Sequence, residues 1–285
     1  MVFELSHYEN SRAFLEEVGD ALYSRETVNN LILGVSERLV TNPSAYENPF
    51  FAAVRKGKEG EVMVSAVMTP PHNLILAGGK NFDQGLSILI AYLQKSQIEI
   101  PGVIGPVQIV EGFVKHWKRI MRESGEIKMH QRVYELRTVR MPPLPEGHFR
   151  IAFLEETQTF AKWLRAFSKE ALGEGAGDAL GRAKALIADG KVFVWQNNGS
   201  AVSMAMKTRP IAHAITIGSV YTPPEHRRQG YATALVARLS QHLLDSGYRF
   251  INLFTDLENP TSNSIYQKIG YHPVCDFRMI TFNHD

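Results

Sequence analysis

The stretch Arg227–Ala232 (R-R-Q-G-Y-A) combines two arginines with a glycine and an alanine. An apolar run over 214–221 precedes it, and apolar residues at helical spacing follow as far as Leu244, so the pattern predicts a strand, a basic loop and a helix. A helix N-terminus carries unpaired N–H groups and positive dipole, and Gly230 lets the backbone come close to a ligand. The loop therefore predicts an anion site, above all for phosphate. A solvated turn that carries two arginines is the alternative that the loop alone leaves open.

A second element, N-x-x-x-N-x-x-Y-x-x-x-G-Y, spans Asn259–Tyr271. Asn259 followed by Pro260 is typical of a helix cap with proline at the first helical position. Tyr266 carries a phenol, which can donate a proton to a leaving group within hydrogen-bond reach. The sequence leaves two simpler interpretations open, in which Tyr266 is a packing aromatic and Asn259 only caps the helix.

The two elements, separated by an apolar strand over 250–255, resemble the GNAT acetyltransferase superfamily. The matching residues are Arg227, Gly230, Ala232, Asn259, Asn263, Tyr266, Gly270 and Tyr271. The resemblance covers about residues 150–285 and reaches 1–140 only through an inferred internal repeat. It implies acetyl-CoA as cosubstrate, an amine as acceptor and no metal.

The resemblance also implies roles for individual residues. Backbone N–H groups of the loop would hold the pyrophosphate of acetyl-CoA, the strand edge before it would pair with the pantetheine amides, and the N–H of Val220 would hold the oxyanion. Tyr266 would protonate the leaving thiolate as the catalytic residue. The implied cofactor-binding residues are Ser219, Val220, Tyr221, Arg227, Arg228, Gln229, Gly230, Tyr231, Ala232, Thr233, Asn259 and Asn263.

The sequence departs from the family pattern at the general base. Many GNAT proteins carry a glutamate on the strand before the loop, whereas residues 212–221 contain no carboxylate. His213 is a candidate base, although a lone histidine at the start of a strand is more often structural. Glu225 lies in the turn and is interpreted as surface charge, and Trp195 either lines an acceptor pocket or fills the core.

Three functions are compatible with these residues. The first is an N-acetyltransferase in which an amine attacks the thioester of acetyl-CoA directly, in a ternary complex. The second is a CoA-binding regulatory or scaffold module that has lost catalysis, as the missing carboxylate suggests. The third, an NTP-binding protein, is disfavoured because the G-x-x-x-x-G-K-[ST] loop is absent.

The two halves of the sequence, on either side of a proline-rich connector, show a similar order of predicted elements. Residues 64–70 and 202–210 both indicate a strand followed by a proline turn, and each leads into a strand that ends in glycine, Gly78 or Gly218. The first half lacks the basic loop, because 78–85 contains no arginine. Chance similarity between two α/β halves is the alternative to a repeat.

The predicted fold class is α/β (α+β), with two tandem GNAT-like domains that each hold a mixed, mostly antiparallel central sheet flanked by helices. We predict a degenerate N-terminal domain over 1–140, a linker over 141–148 and an acetyltransferase domain over 149–285. The patterns also predict helix across 11–40 and two closing strands at 271–276 and 278–282.

Composition limits the class of protein. The 285 residues include 44% hydrophobic and 21% charged side chains, which are values of a globular protein. A formal charge of +2 gives no sign of nucleic-acid binding, and Cys275 is the single cysteine. Without an apolar run of about 18 residues or a leader-like N-terminus, we expect no membrane span and a cytoplasmic location. A homodimer is one oligomeric state that the sequence allows, and the identity of the acceptor amine leaves no short motif.

Overall fold

A computed structural model describes residues 3–57, 60–173, 175 and 177–282 of the chain. The chain divides into two compact units. The first comprises the residues up to Val133, Thr255–Glu258 and the residues from Pro273 onward; the second comprises Tyr134–Phe254 and Asn259–His272. None of the helices in the described ranges combines the length and apolar character that a bilayer crossing requires.

The described parts of the chain contain twelve strands and eight α-helices. Those up to the proline-rich connector are β1 (Phe3–Tyr8), α1 (Ser11–Tyr23), α2 (Asn30–Thr41), β2 (Phe50–Lys56), β3 (Val62–Met68), β4 (Leu74–Gly78), α3 (Phe82–Lys95), β5 (Gly102–Pro106), α4 (Val107–Met121) and β6 (Gly125–Leu136). Those after it are β7 (His148–Ile151), α5 (Thr157–Leu172), α6 (Ala179–Ala188), β8 (Val192–Asn197), β9 (Ser200–Thr208), β10 (Ala214–Tyr221), α7 (Tyr231–Asp245), β11 (Phe250–Asp256), α8 (Pro260–Ile269) and β12 (His272–Phe282).

The sheet of the first unit has the strand order β1-β2-β3-β4-β5-β12-β6. Strands β1 to β4 form an antiparallel meander, β5 runs parallel to β4, and β12 runs antiparallel to β5. The apolar stripes of α3 and α4 explain why these helices pack on the sheet. Leu86 and Leu89 from α3 and Phe113 and Trp117 from α4 are buried in one core with the strands.

The sheet of the second unit begins with the end of β6 and continues β11-β10-β9-β8-β7. Strands β10 and β11 are parallel, and the pairings from β10 to β7 are antiparallel. Helix α7 covers one face, where its Leu235 and Leu239 pack with Ile217 and Leu253. A separate apolar core joins α5 and α6 to β8 and β9. The predicted fold class, mixed and mostly antiparallel sheets flanked by helices, is confirmed in each unit.

The helix predicted over 11–40 and the two closing strands were wrong in extent, and one strand was missed. The helix expected across 11–40 is two helices, α1 and α2, separated by a turn. The two closing strands are one strand, β12, which continues through Asp276. Strand β1 was not predicted at all.

The compact units and the predicted domain ranges share most of their residues but differ at both ends. Residues 134–140 belong to the second unit, and 273–282 belong to the first. Except for His148, the first residue of β7, the predicted linker lies in a segment without helix or strand. There the indole N–H of Trp195 donates to the carbonyl of Glu146 at 3.0 Å. The division into a domain over 1–140, a linker over 141–148 and a domain over 149–285 stays a prediction.

Candidate active site

Strand β10 contains one extra residue near its end. Gly218 lies opposite Met206 and Tyr221 lies opposite Met204, so three steps on β10 match two on β9. Ser219 absorbs the extra residue with a φ of +48°. The bulge reverses the alternation of side chains. Ile217 faces the core under α7, whereas Tyr221 packs in the core beside α5, with its ring 6.2 Å from that of Trp163.

Strands β10 and β11 part just before this bulge. Their parallel register runs from Ala214 opposite Phe250 to Ile217 opposite Leu253. Beyond Ile217, the described residues of β10 pair with β9 alone. The edge of Gly218–Tyr221 therefore faces a gap between two parallel strands, and an extended amide chain can add to such an edge as another strand would.

The basic loop leads from β10 into the N-terminus of α7. After a short 3-10 turn at Pro224–His226, Arg228 and Gly230 take left-handed φ angles of +62° and +82°. Gly230 is the N-cap of α7 and contributes no side-chain cap, and the first helical hydrogen bond runs from the N–H of Ala234 to its carbonyl. The N–H groups of Tyr231, Ala232 and Thr233 thus lie at the end of a helix where an anion binds best.

The loop has space for a ligand at Gly230. A Cβ built there would meet only Pro145, at 4.0 Å, among the described residues. The glycine is required by its left-handed backbone rather than by crowding. The N-terminus of α7 and the open space at Gly230 are compatible with a diphosphate. The gap between β10 and β11 is compatible with an extended amide chain. These residues therefore fit CoA.

Arg227 is already engaged within the chain. Its guanidinium donates to both carboxylate oxygens of Glu170 on α5, at 2.7 and 3.0 Å, and to the carbonyl of Thr222 at 2.9 Å. Arg228 is exposed, as is Gln229, whose side-chain amide lies 3.5 Å from the carbonyl of Glu225. Of the two arginines, Arg228 is the one whose charge the structure leaves on the open loop.

The remaining loop side chains serve the fold. Tyr231 is buried, and its hydroxyl accepts a hydrogen bond from the Asn197 side chain at 2.7 Å. Ala232 and Thr233 are half-buried in the first turn of α7. Their contribution to a ligand would come from backbone N–H groups, as the resemblance implies.

The two asparagines of the second element lie at the start of α8. The side chain of Asn263 donates to the carbonyl of Asn259 at 2.8 Å and accepts from the hydroxyl of Tyr134 at 3.0 Å. Gln267 also reaches the Tyr134 hydroxyl, at 3.5 Å. Tyr134, which is 1% exposed, was missed by the sequence reasoning, because no motif connects it with a residue 129 positions later.

Tyr266 is a buried aromatic on α8. Its ring lies 5.9 Å from that of Tyr271 and 6.4 Å from that of Tyr134, inside the core that α7 covers. Burial raises the pKa of Tyr266 to about 12. The phenol is therefore protonated at neutral pH, which is the state that a proton donor needs.

Three further residues were considered from the sequence as a base, a surface charge or a pocket residue. His213 precedes β10 and its carbonyl accepts from the N–H of Arg249. Glu225 is exposed in the 3-10 turn, and Trp195 is 2% exposed within the core. The described residues bring together no group of three or more His, Cys, Asp or Glu side chains with the spacing of metal ligands.

Comparison with known proteins shows which family the second half of the chain is similar to. Residues 154–271 match the model of the acetyltransferase (GNAT) family. Over these residues the chain is similar to a GNAT acetyltransferase domain, and this similarity supports acyl transfer as a general activity. Comparison with curated protein sequences gives no match.

Solved structures resemble the chain over nearly its whole length. A Drosophila protein matches with a TM-score of 0.70 at 15% identity, covering 98% of both chains. A GCN5-related N-acetyltransferase from Sphaerobacter thermophilus matches with 0.62 at 14% identity, covering 98% of this chain and 94% of that one. A tandem GNAT protein from the clavulanic acid biosynthesis pathway matches with 0.58 at 11% identity, covering 99% and 98%. These likenesses show that the chain has the fold of these proteins, one of which is a tandem GNAT protein.

Replacing Gly230 tests the loop. Gly230→Ala puts a Cβ on a left-handed residue, which costs about 1 kcal/mol, and directs that Cβ toward the open side of the loop. We expect CoA to bind roughly tenfold more weakly, equivalent to about 1.4 kcal/mol, in isothermal titration calorimetry. Gly247→Ala, at φ +108° beyond the other end of α7, is the matched control and leaves CoA affinity unchanged. Equal CoA affinity in Gly230→Ala and the parent would show that the loop does not hold the cofactor.

Removing the negative charge of Glu170 tests the role of Arg227. In Glu170→Gln the guanidinium loses its ion pair and becomes available to a phosphate. The pair is half exposed, with 42% and 49% of the two side chains accessible, so the effect is small. We expect CoA affinity to rise by up to about fivefold.

Two variants control this measurement. Glu155→Gln removes one exposed negative charge elsewhere in the second unit and leaves CoA affinity unchanged. In an Arg227→Ala background, Glu170→Gln loses its effect. Weaker CoA binding in Glu170→Gln alone would mean that the ion pair supports the loop instead of competing with the ligand.

Proposed function

We propose that this protein is an N-acetyltransferase that transfers the acetyl group of acetyl-CoA to an amine acceptor by direct attack in a ternary complex. The observation that carries the proposal is the junction of the bulged end of β10 with the uncapped N-terminus of α7. That junction offers backbone partners for an amide arm and, next to them, N–H donors for a diphosphate.

The cofactor contacts follow from this junction. Ser219–Tyr221 would pair with the pantetheine amides, and the N–H groups of Gln229–Thr233 would hold the diphosphate with added charge from Arg228. Asn259 and Asn263 are kept at the start of α8 by their mutual hydrogen bond and by Tyr134. These two asparagines would line the cofactor site at the start of α8.

The reaction forms one bond and breaks another. The acceptor nitrogen attacks the thioester carbon, a C–N bond forms and the C–S bond breaks. The proton that the nitrogen loses passes to solvent water, and solvent returns a proton to the Tyr266 phenolate after turnover. The N–H of Val220, at the parted edge of β10, would stabilise the negative charge that develops on the carbonyl oxygen. The Tyr266 hydroxyl would donate its proton to the leaving thiolate.

The first unit is, in this proposal, a degenerate copy without a cofactor loop. A Cβ on Gly78, at the end of β4, would meet Ile109 at 2.8 Å and Phe82 at 3.1 Å. Apolar side chains of α3 and α4 thus occupy the end of the strand that corresponds to β10 in the repeat. No arginine follows before α3 begins.

A CoA-binding module without catalysis is the second candidate, and the absence of a carboxylate from β10 favours it. Calorimetry with CoA and acetyl-CoA, together with mass spectrometry of an amine panel for gain of an acetyl group, separates the two. Acetylated product supports the enzyme. Tight binding of acetyl-CoA without product from any amine supports the module.

Tyr266→Phe tests the proton donor. We expect kcat to fall by about 10²-fold or more, the range of general acid catalysis, while acetyl-CoA affinity stays within about twofold of the parent. Tyr248→Phe, a half-buried tyrosine of the same unit, is the matched control and retains full kcat. Unchanged turnover in Tyr266→Phe would remove Tyr266 from the mechanism.

The pH profile gives an independent check on the same residue. Burial raises the pKa of Tyr266 to about 12, so the phenol stays protonated up to about pH 10, above which an ordinary tyrosine ionises. We expect the parent kcat to show no decline from pH 8 to about pH 10. A fall in that range that disappears in Tyr266→Phe would contradict the buried, protonated state.

A further inference from the structure

An open cavity of about 560 Å³ lies between β1 and α1 in the first unit. Strand β1 is an edge strand of the sheet and pairs with β2 alone among the described strands. A cavity of this volume takes a small organic molecule. The polar residues that line it are Glu4, Ser6, Tyr8, Glu16, Glu17 and Arg55.

The backbone brings these side chains together from two elements. Because side chains alternate along a strand, Glu4, Ser6 and Tyr8 lie on the same face of β1. The helix that follows, α1, contributes Glu16 and Glu17 to the same cavity. Three carboxylates and two hydroxyl groups therefore face one space that solvent can enter.

The single cation of this lining is already paired. The guanidinium of Arg55 donates to the backbone carbonyl of Glu17, and its Nη2 lies 3.3 Å from a carboxylate oxygen of the same residue. Glu4 and Glu16 are exposed and form no ion pair or hydrogen bond with any described residue. Their two negative charges are thus available to a ligand.

Tyr8 gives a sign of a ligand that is independent of these charges. The residue is 9% exposed, and its ring packs edge-to-face on that of Phe14 with centroids 5.6 Å apart. Its hydroxyl bonds to no described residue and is not enclosed, so it opens into the cavity. A buried tyrosine normally has a partner for its hydroxyl, and here that partner has to come from the cavity.

We propose that this cavity binds a linear amine that carries two or more ammonium groups. Ammonium N–H groups would donate to the carboxylates of Glu4 and Glu16 and to the hydroxyl oxygens of Ser6 and Tyr8. Alternate side chains on one face of a strand recur about every 6.8 Å. A chain of amines separated by a few methylene groups can therefore contact several of them at once.

This inference goes beyond the proposed function and does not depend on it. All residues of the cavity belong to the first unit, whereas the residues proposed for acetyl transfer belong to the second. A metal ion fits the cavity poorly, because the described residues hold no group of three His, Cys, Asp or Glu side chains placed as metal ligands.

Calorimetric titration of the full chain with spermidine at low ionic strength tests the site, since salt screens exposed charges. We expect the parent to bind spermidine and the double variant Glu4→Gln/Glu16→Gln to bind it roughly tenfold more weakly. Tyr8→Phe keeps the ring on Phe14 but removes the hydroxyl, and we expect about fivefold weaker binding. The monoamine 1-aminobutane should bind at least about tenfold more weakly than spermidine.

Two variants of the same unit are matched controls. Glu47→Gln removes an exposed carboxylate, and Tyr92→Phe removes the hydroxyl of a half-buried tyrosine, and neither residue lines the cavity. We expect both variants to bind spermidine as tightly as the parent. Thermal unfolding of every variant shows that the fold is retained.

The outcomes decide the proposal without any assay of turnover. A parent that binds no spermidine overturns it, and so does equal affinity in the parent, the double variant and Tyr8→Phe. An equal loss of affinity in Glu47→Gln would assign the binding to overall charge and would also overturn it. If the protein binds spermidine as expected but acetylates no amine, the proposed function fails while the cavity site stands.

Discussion

One extra residue in β10 determines how the second unit is built around the end of that strand. A regular strand would keep Tyr221 on the face of Ile217, under α7, and would continue the pairing with β11. The bulge at Ser219 sends Tyr221 to the opposite core, beside Trp163, while the parallel pairing stops at Ile217. The gap at the strand edge is thus built into the backbone and does not depend on a ligand to open it.

Electrostatics at this site come mainly from the backbone. The helix end at Gly230 presents N–H groups whose partial charge is fixed by the fold, whereas the charge of Arg227 is shared with Glu170. Burial raises the pKa of Tyr221, beside this ion pair, and the Glu170 carboxylate adds to the rise. A diphosphate at this site would contact the N-terminus of α7, whose positive partial charge is fixed in place. It would also contact the side chain of Arg228, which is exposed on the loop.

Those parts of the site that depend on residues close together in the sequence could be predicted from the sequence. The order of strand, basic loop and helix, and the end of α7 just after Leu244, follow from the pattern of a few neighbouring residues. Contacts between distant residues could not be predicted. Tyr134 reaches Asn263 and Glu170 reaches Arg227 only after the sheet has formed, and no spacing rule connects them. The prediction divided strand β12 after Asp276, whose carboxylate is bound by Arg132, which lowers its pKa.

The same long-range packing explains why the proline-rich connector is a poor guide to where the compact units divide. Tyr134 and Leu136 precede the connector but are buried in the core of the second unit, at 1% and 0% exposure. The first unit in turn uses Ile280 and Phe282 from the far end of the chain in its own core. A cut at 141–148 would remove buried apolar side chains from both cores. The connector marks a change in local backbone chemistry, while burial of apolar surface decides which residues fold together.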